Sequence, residues 1–188
     1  MIESKLICII GSPHSGKSTL ASDVHTTLKI NGKNSIFISE VATDFIANNG
    51  IPNQPIDQVI IFYKQLEKEK LFIGSKEYII CDSSSILNYF YFRKLFSNPL
   101  SNKDIYVINH LQSEILKTIG QWFKIFYVPP FDVDENIDDG IRYQDREEIR
   151  QIDRWIKNYL EIENIPHIDL SNIDIKKRQD HVVKLITN

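Results

Sequence analysis

The stretch Gly11-Ser12-Pro13-His14-Ser15-Gly16-Lys17-Ser18 satisfies the spacing GxxxxGK[ST] and follows the apolar run Leu6-Ile7-Cys8-Ile9-Ile10 directly. A strand that feeds a glycine loop, which in turn opens a helix, is a phosphate cradle. Several donors must converge on a triphosphate, and backbone N–H groups do so only where the chain curls tightly. Gly11 and Gly16 permit that curl because they lack a Cβ. Lys17 supplies charge for the β- and γ-phosphates, and Ser18 supplies a hydroxyl for Mg²⁺. The helix that opens through Ser18 and Thr19 aims its positive dipole end at the anion. The nucleotide site is therefore expected over Gly11, Ser12, Pro13, His14, Ser15, Gly16, Lys17, Ser18 and Thr19, with ATP as ligand and GTP as an alternative. His14 fills a variable position of the pattern and reads as an exposed loop side chain.

Two further acids stand where such a site needs them. Glu40 follows the strand-like run Ser35 to Ser39, with Asp44 four residues on. A carboxylate there lies across the crevice from the phosphate loop, where it accepts a proton from a substrate hydroxyl, holds a sugar, or simply caps the next helix. Tyr78-Ile79-Ile80-Cys81-Asp82 is an apolar strand ending in an acid, the form of a Walker-B segment. Beside the first strand, Asp82 falls near the Mg²⁺ site; with Ser83, Ser84 and Ser85 behind it, it reads alternatively as part of a helix cap. Either Glu40 or Asp82 suits the role of proton acceptor, and spacing does not choose between them.

Arginines recur at positions 142, 146, 150 and 154, and the last three share one helical face nearly opposite the apolar stripe of Ile149, Ile152 and Ile156. Arg150 and Arg154 read as a solvated face paired with Asp145, Glu147, Glu148 and Asp153. Arg142 and Arg146 lie nearest the loop after the fourth strand, where a lid brings guanidinium groups over transferring phosphates.

The elements that must position these groups follow from periodicity. Short β-like runs fall at Lys5 to Ile10, Ser35 to Ser39, Tyr78 to Cys81, Phe123 to Val128 and His167 to Leu170. Helical spacing separates them, in Leu20, Ala21, Val24 and Leu28; in Val59, Ile60, Tyr63 and Leu66; and in Ile86, Leu87 and Phe90. The same spacing recurs in Ile108, Leu111 and Ile115, in Ile152, Ile156, Tyr159 and Leu160, and finally in Ile175, Val182, Val183 and Ile186. Alternation of this kind predicts a parallel sheet with helices on both faces and ligands beyond the carboxyl ends of the strands. In Tyr89-Phe90-Tyr91-Phe92 most rings belong to the core, leaving at most one for a ligand, and Trp122 and Trp155 read as packing residues.

At 188 residues, 42% hydrophobic and 25% charged, the chain suits one domain spanning 1–188. A net charge of −3 argues against non-specific grip on nucleic acid, although it does not exclude a local basic patch. The apolar runs are too short for a membrane span, and no leader pattern precedes the first strand, so a cytoplasmic protein is expected. Cys8 and Cys81, each in a strand-like run, read as small core residues in a reducing compartment.

Taken together, the phosphate loop, Ser39-Glu40, the stretch Asp57 to Leu66 with Gln65, Cys81-Asp82-Ser83 and Asp138-Asp139-Gly140-Ile141-Arg142 make the order of motifs one that resembles the NadR-like AAA-type P-loop family. That family includes the ribosylnicotinamide kinase domain of NadR, and the resemblance runs from about Leu6 to Leu170. It implies an α/β P-loop NTPase three-layer α/β/α sandwich with a five-stranded parallel sheet of nucleoside/nucleotide-kinase type. The strand order would be 2-3-1-4-5, with a lid between strands four and five over about 132–150. By matching position, Lys17 and Ser18 would bind ATP and Mg²⁺, Asp82 would serve the metal or the substrate, and Arg142 and Arg146 would belong to the lid. The additional domains of NadR proteins have no counterpart in this stretch, so the resemblance implies neither DNA binding nor adenylyl transfer. The expected function is a kinase that moves the γ-phosphoryl group of ATP to a hydroxyl of a small nucleoside- or nucleotide-like acceptor. The alternative is an ATPase switch that acts on a protein partner and has no small-molecule acceptor. Composition leaves the oligomeric state open.

Overall fold

All five strand-like runs form strands in the computed structural model, which describes residues 2–95, 101–130 and 146–188. In chain order the elements are β1 (Lys5–Ile10), α1 (Lys17–Ile30), β2 (Ser35–Ile38), α2 (Val41–Asn49), α3 (Pro55–Lys70), β3 (Tyr78–Asp82), α4 (Asn88–Leu95), α5 (Asn102–Ile119), β4 (Lys124–Tyr127), α6 (Arg146–Ile162), β5 (Ile168–Asp169) and α7 (Arg178–Thr187). A 3₁₀ turn at Ser85–Leu87 leads into α4 and another at Ile175–Lys177 leads into α7.

The strands pair in parallel in the order β2-β3-β1-β4-β5, as expected. Their near-continuous apolar character reflects cover on both faces, since a strand buried on two sides has no polar alternation to show. On one face Ile7, Ile9, Ile80 and Phe126 meet Leu20, Ala21, Val24 and Leu28 of α1 and Val182 and Ile186 of α7. On the other, Cys8, Ile10, Ile125 and Tyr127 meet Ile86, Leu87 and Phe90 with Ile152, Ile156 and Leu160 of α6. A third cluster, Phe62, Phe92, Ile108, Leu111 and Ile115, ties α3 and α4 to α5.

Several sequence expectations need correction. Of the four α3 residues at helical spacing, Val59 and Leu66 are half-buried against the core but Ile60 and Tyr63 are exposed; the fully buried positions are Gln58, Ile61, Phe62, Gln65 and Glu69. Three polar residues on the inner face hid the helix's true orientation. Trp155 is also exposed rather than packed, lying on the outer side of α6, whereas Trp122 does pack against the core. Ile175 is half exposed in its 3₁₀ turn. The chain between β2 and β3 forms two helices, broken at Gly50 (φ 80°) and restarted by Pro55 at the first helical position. There Asp57 accepts from the backbone N–H groups of Asn53 and Gln54, both at 3.0 Å, and so satisfies donors the helix start leaves over. Cys8 and Cys81 are free thiols in the core, as expected. Among the described residues, no helix is long and apolar enough to cross a membrane.

Candidate active site

The loop after β1 shows why its glycines are required. A Cβ on Gly11 would lie 2.3 Å from the carbonyl oxygen of Val128, so only glycine lets the loop start so close to the end of β4. Gly16 takes φ 76° to open α1 and His14 takes φ 58°. Left-handed backbone at a histidine is uncommon and costs on the order of 1 kcal/mol, and its appearance within a binding loop fits strain held for function. His14 is half-buried, not exposed as its variable position suggested, and its Nε2 is shielded without a hydrogen-bond partner.

Several polar groups here are held without partners. The Oγ atoms of the fully buried Ser12 and Ser15 lack hydrogen bonds. Lys17 is 8% exposed and makes no ion pair with the described residues. Buried hydroxyl donors are costly unless an acceptor arrives. The cradle therefore fits the phosphates of a nucleotide on its own geometry. Ser18 is exposed at the first turn of α1, where its hydroxyl can reach a cation held by those phosphates. Among the described residues no group of three or more His, Cys, Asp or Glu could cage a metal alone.

Parallel register brings the two acids to the same rim. Asp82 sits opposite Ile9, and Ser83 continues the pairing by donating its N–H to the Ile9 carbonyl at 2.9 Å, so Asp82 lies beside the start of the phosphate loop. It is 6% exposed. It is not the cap of the following turn, because Ser84 Oγ takes that role by accepting from Ile86 N at 3.1 Å. Glu40 leaves β2 one strand further out and does occupy the N-cap position of α2, but its carboxylate accepts from Thr43 Oγ1 at 3.0 Å and makes no capping bond. Asp44 points away, in an exposed ion pair with Lys68 at 3.1 Å.

A cavity of about 390 Å³ is lined by Glu40, by Gln58, Ile61 and Gln65 of α3 and by Ser83 and Ser84, whereas Asp82 does not line it. Its apolar wall includes Ile46, Pro52, Ile61, Leu87 and Tyr91, while Glu40, Gln58 and Asn88 bring polar groups to it. Pro13 contributes to the same wall, so the cavity adjoins the phosphate loop. At its mouth Lys94 of α4 pairs with Glu148 of α6 at 3.1 Å. Among the four aromatics of α4, Phe90 and Phe92 are buried, and Tyr91 faces this cavity.

Beneath the cavity Glu69, 1% exposed, accepts from Ser85 N at 2.7 Å and from Ser85 Oγ at 2.8 Å. Burial drives its carboxyl up to about 7, against the hydrogen bonds from Ser85. One turn earlier, Gln65 Oε1 accepts from Val41 N at 2.9 Å. On the far side of the phosphate loop, Tyr127 at the end of β4 donates its hydroxyl to Asp153 of α6. Burial raises the Asp153 carboxyl above its ordinary range.

Arg146 heads α6 and is half-buried, whereas Arg150 is exposed and Arg154 pairs with Glu147 at 2.8 Å, a solvated arrangement. Arg142 and the lid stretch before Arg146 lie outside the described residues. Sequence reasoning missed Glu69, Gln58, Asn88 and Lys94. The missed signal was the 58, 65, 69 spacing, which places three polar side chains on the same face as Ile61 and Phe62.

Strand order, phosphate loop and acid-ended third strand together define a P-loop domain with the sheet of the nucleoside and nucleotide kinases. A family model described as AAA domain matches residues 6–178, and the chain belongs to that family. A search of curated proteins finds no match. Among solved structures, NadR protein in complex with NR superposes with a TM-score of 0.70 at 20% identity, covering 97% of this chain and 50% of that one. The chain thus spans about half the length of that neighbour. Deoxyadenosine kinase from M. mycoides with bound dCTP gives 0.61 at 12% identity, covering 97% and 98%. The APS kinase CysC of Mycobacterium tuberculosis gives 0.50 at 11%, covering 100% of each chain.

Proposed function

We propose that this protein is an ATP-dependent kinase that transfers the γ-phosphoryl group to a hydroxyl of a small nucleoside-like acceptor. The observation that carries this reading is the acceptor-sized cavity that shares Pro13 with the phosphate loop and Glu40 with the strand-end acids. The kinase folds of the structural neighbours support it.

In this reading the phosphate loop from Gly11 to Thr19 wraps the triphosphate, with Lys17 holding its terminal groups. The transfer forms a bond from the acceptor oxygen to the γ-phosphorus while the bond to the β,γ-bridging oxygen breaks. The hydroxyl proton passes to the carboxylate of Glu40 or Asp82 and ADP leaves. Bound Mg²⁺, held by Ser18 with Asp82 near it, would neutralise charge on the phosphates. Arg142 and Arg146 would cover the transferring group from the lid. Catalysis here is chiefly positioning and charge stabilisation in a site closed to water.

The described lining carries both signs of charge, Lys94 paired with Glu148 at 3.1 Å and the carboxylate of Glu40, so nucleosides and nucleoside monophosphates are both tested as acceptors. The test is a panel of nucleosides, nicotinamide riboside among them, and nucleoside monophosphates, each with ATP and Mg²⁺, read as acceptor-dependent ADP release. A phosphorylated nucleoside is the expected product. Turnover that no acceptor raises above the water background, but that a protein partner does raise, would establish the ATPase switch instead.

A further inference from the structure

The face of α3 that sequence periodicity missed carries two polar side chains one turn apart, and each holds a different strand end. Gln65 is 2% exposed and its Oε1 accepts from Val41 N at 2.9 Å, the residue directly after Glu40. Glu69 is 1% exposed and receives both the N–H and the hydroxyl of Ser85, three residues after Asp82. Both acceptors stand one turn apart on the inner face of α3, so one helix carries the anchors of both loops and a shift at one is transmitted to the other. Between Asp82 and Ser85 the chain turns sharply at Ser83, whose φ of 63° is a left-handed conformation that needs support from its surroundings.

A buried acid has a cheaper alternative. A leucine or methionine at 69 would fill the same volume without the desolvation cost of a carboxyl, and buried polar groups often yield stability to apolar ones. Nothing in the packing of α3 on α5, which runs through Phe62, calls for a carboxyl at 69. What the acid does provide is a fixed acceptor for two donors of the loop that carries Asp82.

We propose that Gln65 and Glu69 act as a buried rail on α3 that sets the spacing between the Glu40 loop and the Asp82 loop, making Glu69 a positioning residue for phosphoryl transfer. Its catalytic consequence rests on the kinase reading above. The geometric half does not. The rail bonds to the loops after β2 and β3 and to no residue of the phosphate loop itself. Disturbing it should therefore slow transfer far more than it loosens ATP.

Three variants test this: Glu69→Met, which keeps the volume and removes the acceptor; Glu69→Gln, which keeps an acceptor for Ser85 N–H; and Ser85→Ala, which removes the hydroxyl half with little change in volume. Lys64→Ala, exposed on the same helix, is the control. With ATP, Mg²⁺ and the best acceptor of the nucleoside panel, Glu69→Met should lower kcat by roughly 10- to 100-fold. Its KM for ATP should change by much less than kcat, since neither Gln65 nor Glu69 bonds to the phosphate loop. Glu69→Gln should recover most of the loss, and Ser85→Ala should fall between the two. Amide hydrogen exchange should quicken at both Ser85 and Val41 in Glu69→Met. Unchanged exchange at Val41, a Glu69→Gln variant as slow as Glu69→Met, or a parallel rise in KM for ATP would each overturn the rail. If the parent enzyme phosphorylates no acceptor, the kinase reading fails, and exchange at Val41 and Ser85 decides the rail by itself.

Discussion

Lys17 opens α1 directly after the phosphate loop and makes no ion pair with the described residues. Lys17→Ala should therefore change the melting temperature little while turnover falls by roughly 10²- to 10³-fold, the scale expected when a preorganised charge contact is lost. Steady-state kinetics beside a thermal melt checks both halves, and a variant with ordinary turnover would contradict the donor site. Gly11→Ala should behave in the opposite way. Its methyl must push Val128 back, so stability should drop by about 1–3 kcal/mol in urea denaturation and ATP affinity should drop with it. Both residues are legible in the sequence because their chemistry lies within eight consecutive positions. His14 is not, since its left-handed backbone and shielded ring arise from how the loop is folded. Glu69 is hidden for a different reason: it stands among Lys64, Glu67, Lys68 and Lys70, where an acid reads as part of a solvated face.

Helix α3 shows the same effect for an element. Its existence follows from helical spacing, but its rotation about its own axis depends on Gln58, Gln65 and Glu69 facing inward, the last two with bonds to residues distant in the chain. Periodicity of apolar residues cannot register a polar inner face. A measurable consequence follows. Burial raises the Glu69 carboxyl from 4.5 to about 7, so the folded chain keeps a proton that the unfolded chain releases. The corresponding stability is present below the unfolded value and is lost as pH rises through about 7; its size is on the order of 3 kcal/mol. Urea midpoints of the parent chain should thus fall between about pH 5 and about pH 8, and Glu69→Gln should flatten that slope. An identical slope in the variant would remove Glu69 as its source. Strands were more legible than helices here, because burial on both faces turns each into an apolar run, although β5 contracts to two residues at the sheet edge.

Across the whole molecule, five parallel strands bring every loop that could touch a ligand to one rim, and the order 2-3-1-4-5 puts the phosphate loop at the centre of that rim. Topology of this kind was legible from alternation and resemblance together. What was not legible is how α6 is tied to the sheet, through the bond from Tyr127 to Asp153 across 26 positions. Tyr127→Phe should leave that half-buried carboxyl short of a donor and cost about 1–3 kcal/mol of stability, with the chain still folded at room temperature. A denaturant midpoint equal to that of the parent would show that the link is energetically idle. The pairing of Cys8 with Cys81 on adjacent strands has a use beyond packing. Burial holds both thiols well above their ordinary range, so an alkylating reagent meets them only when the sheet parts, and the rate of labelling becomes a clock for that rupture. Slower ticking in the presence of a nucleotide would report its grip on the native chain in units of free energy, with no acceptor needed in the experiment.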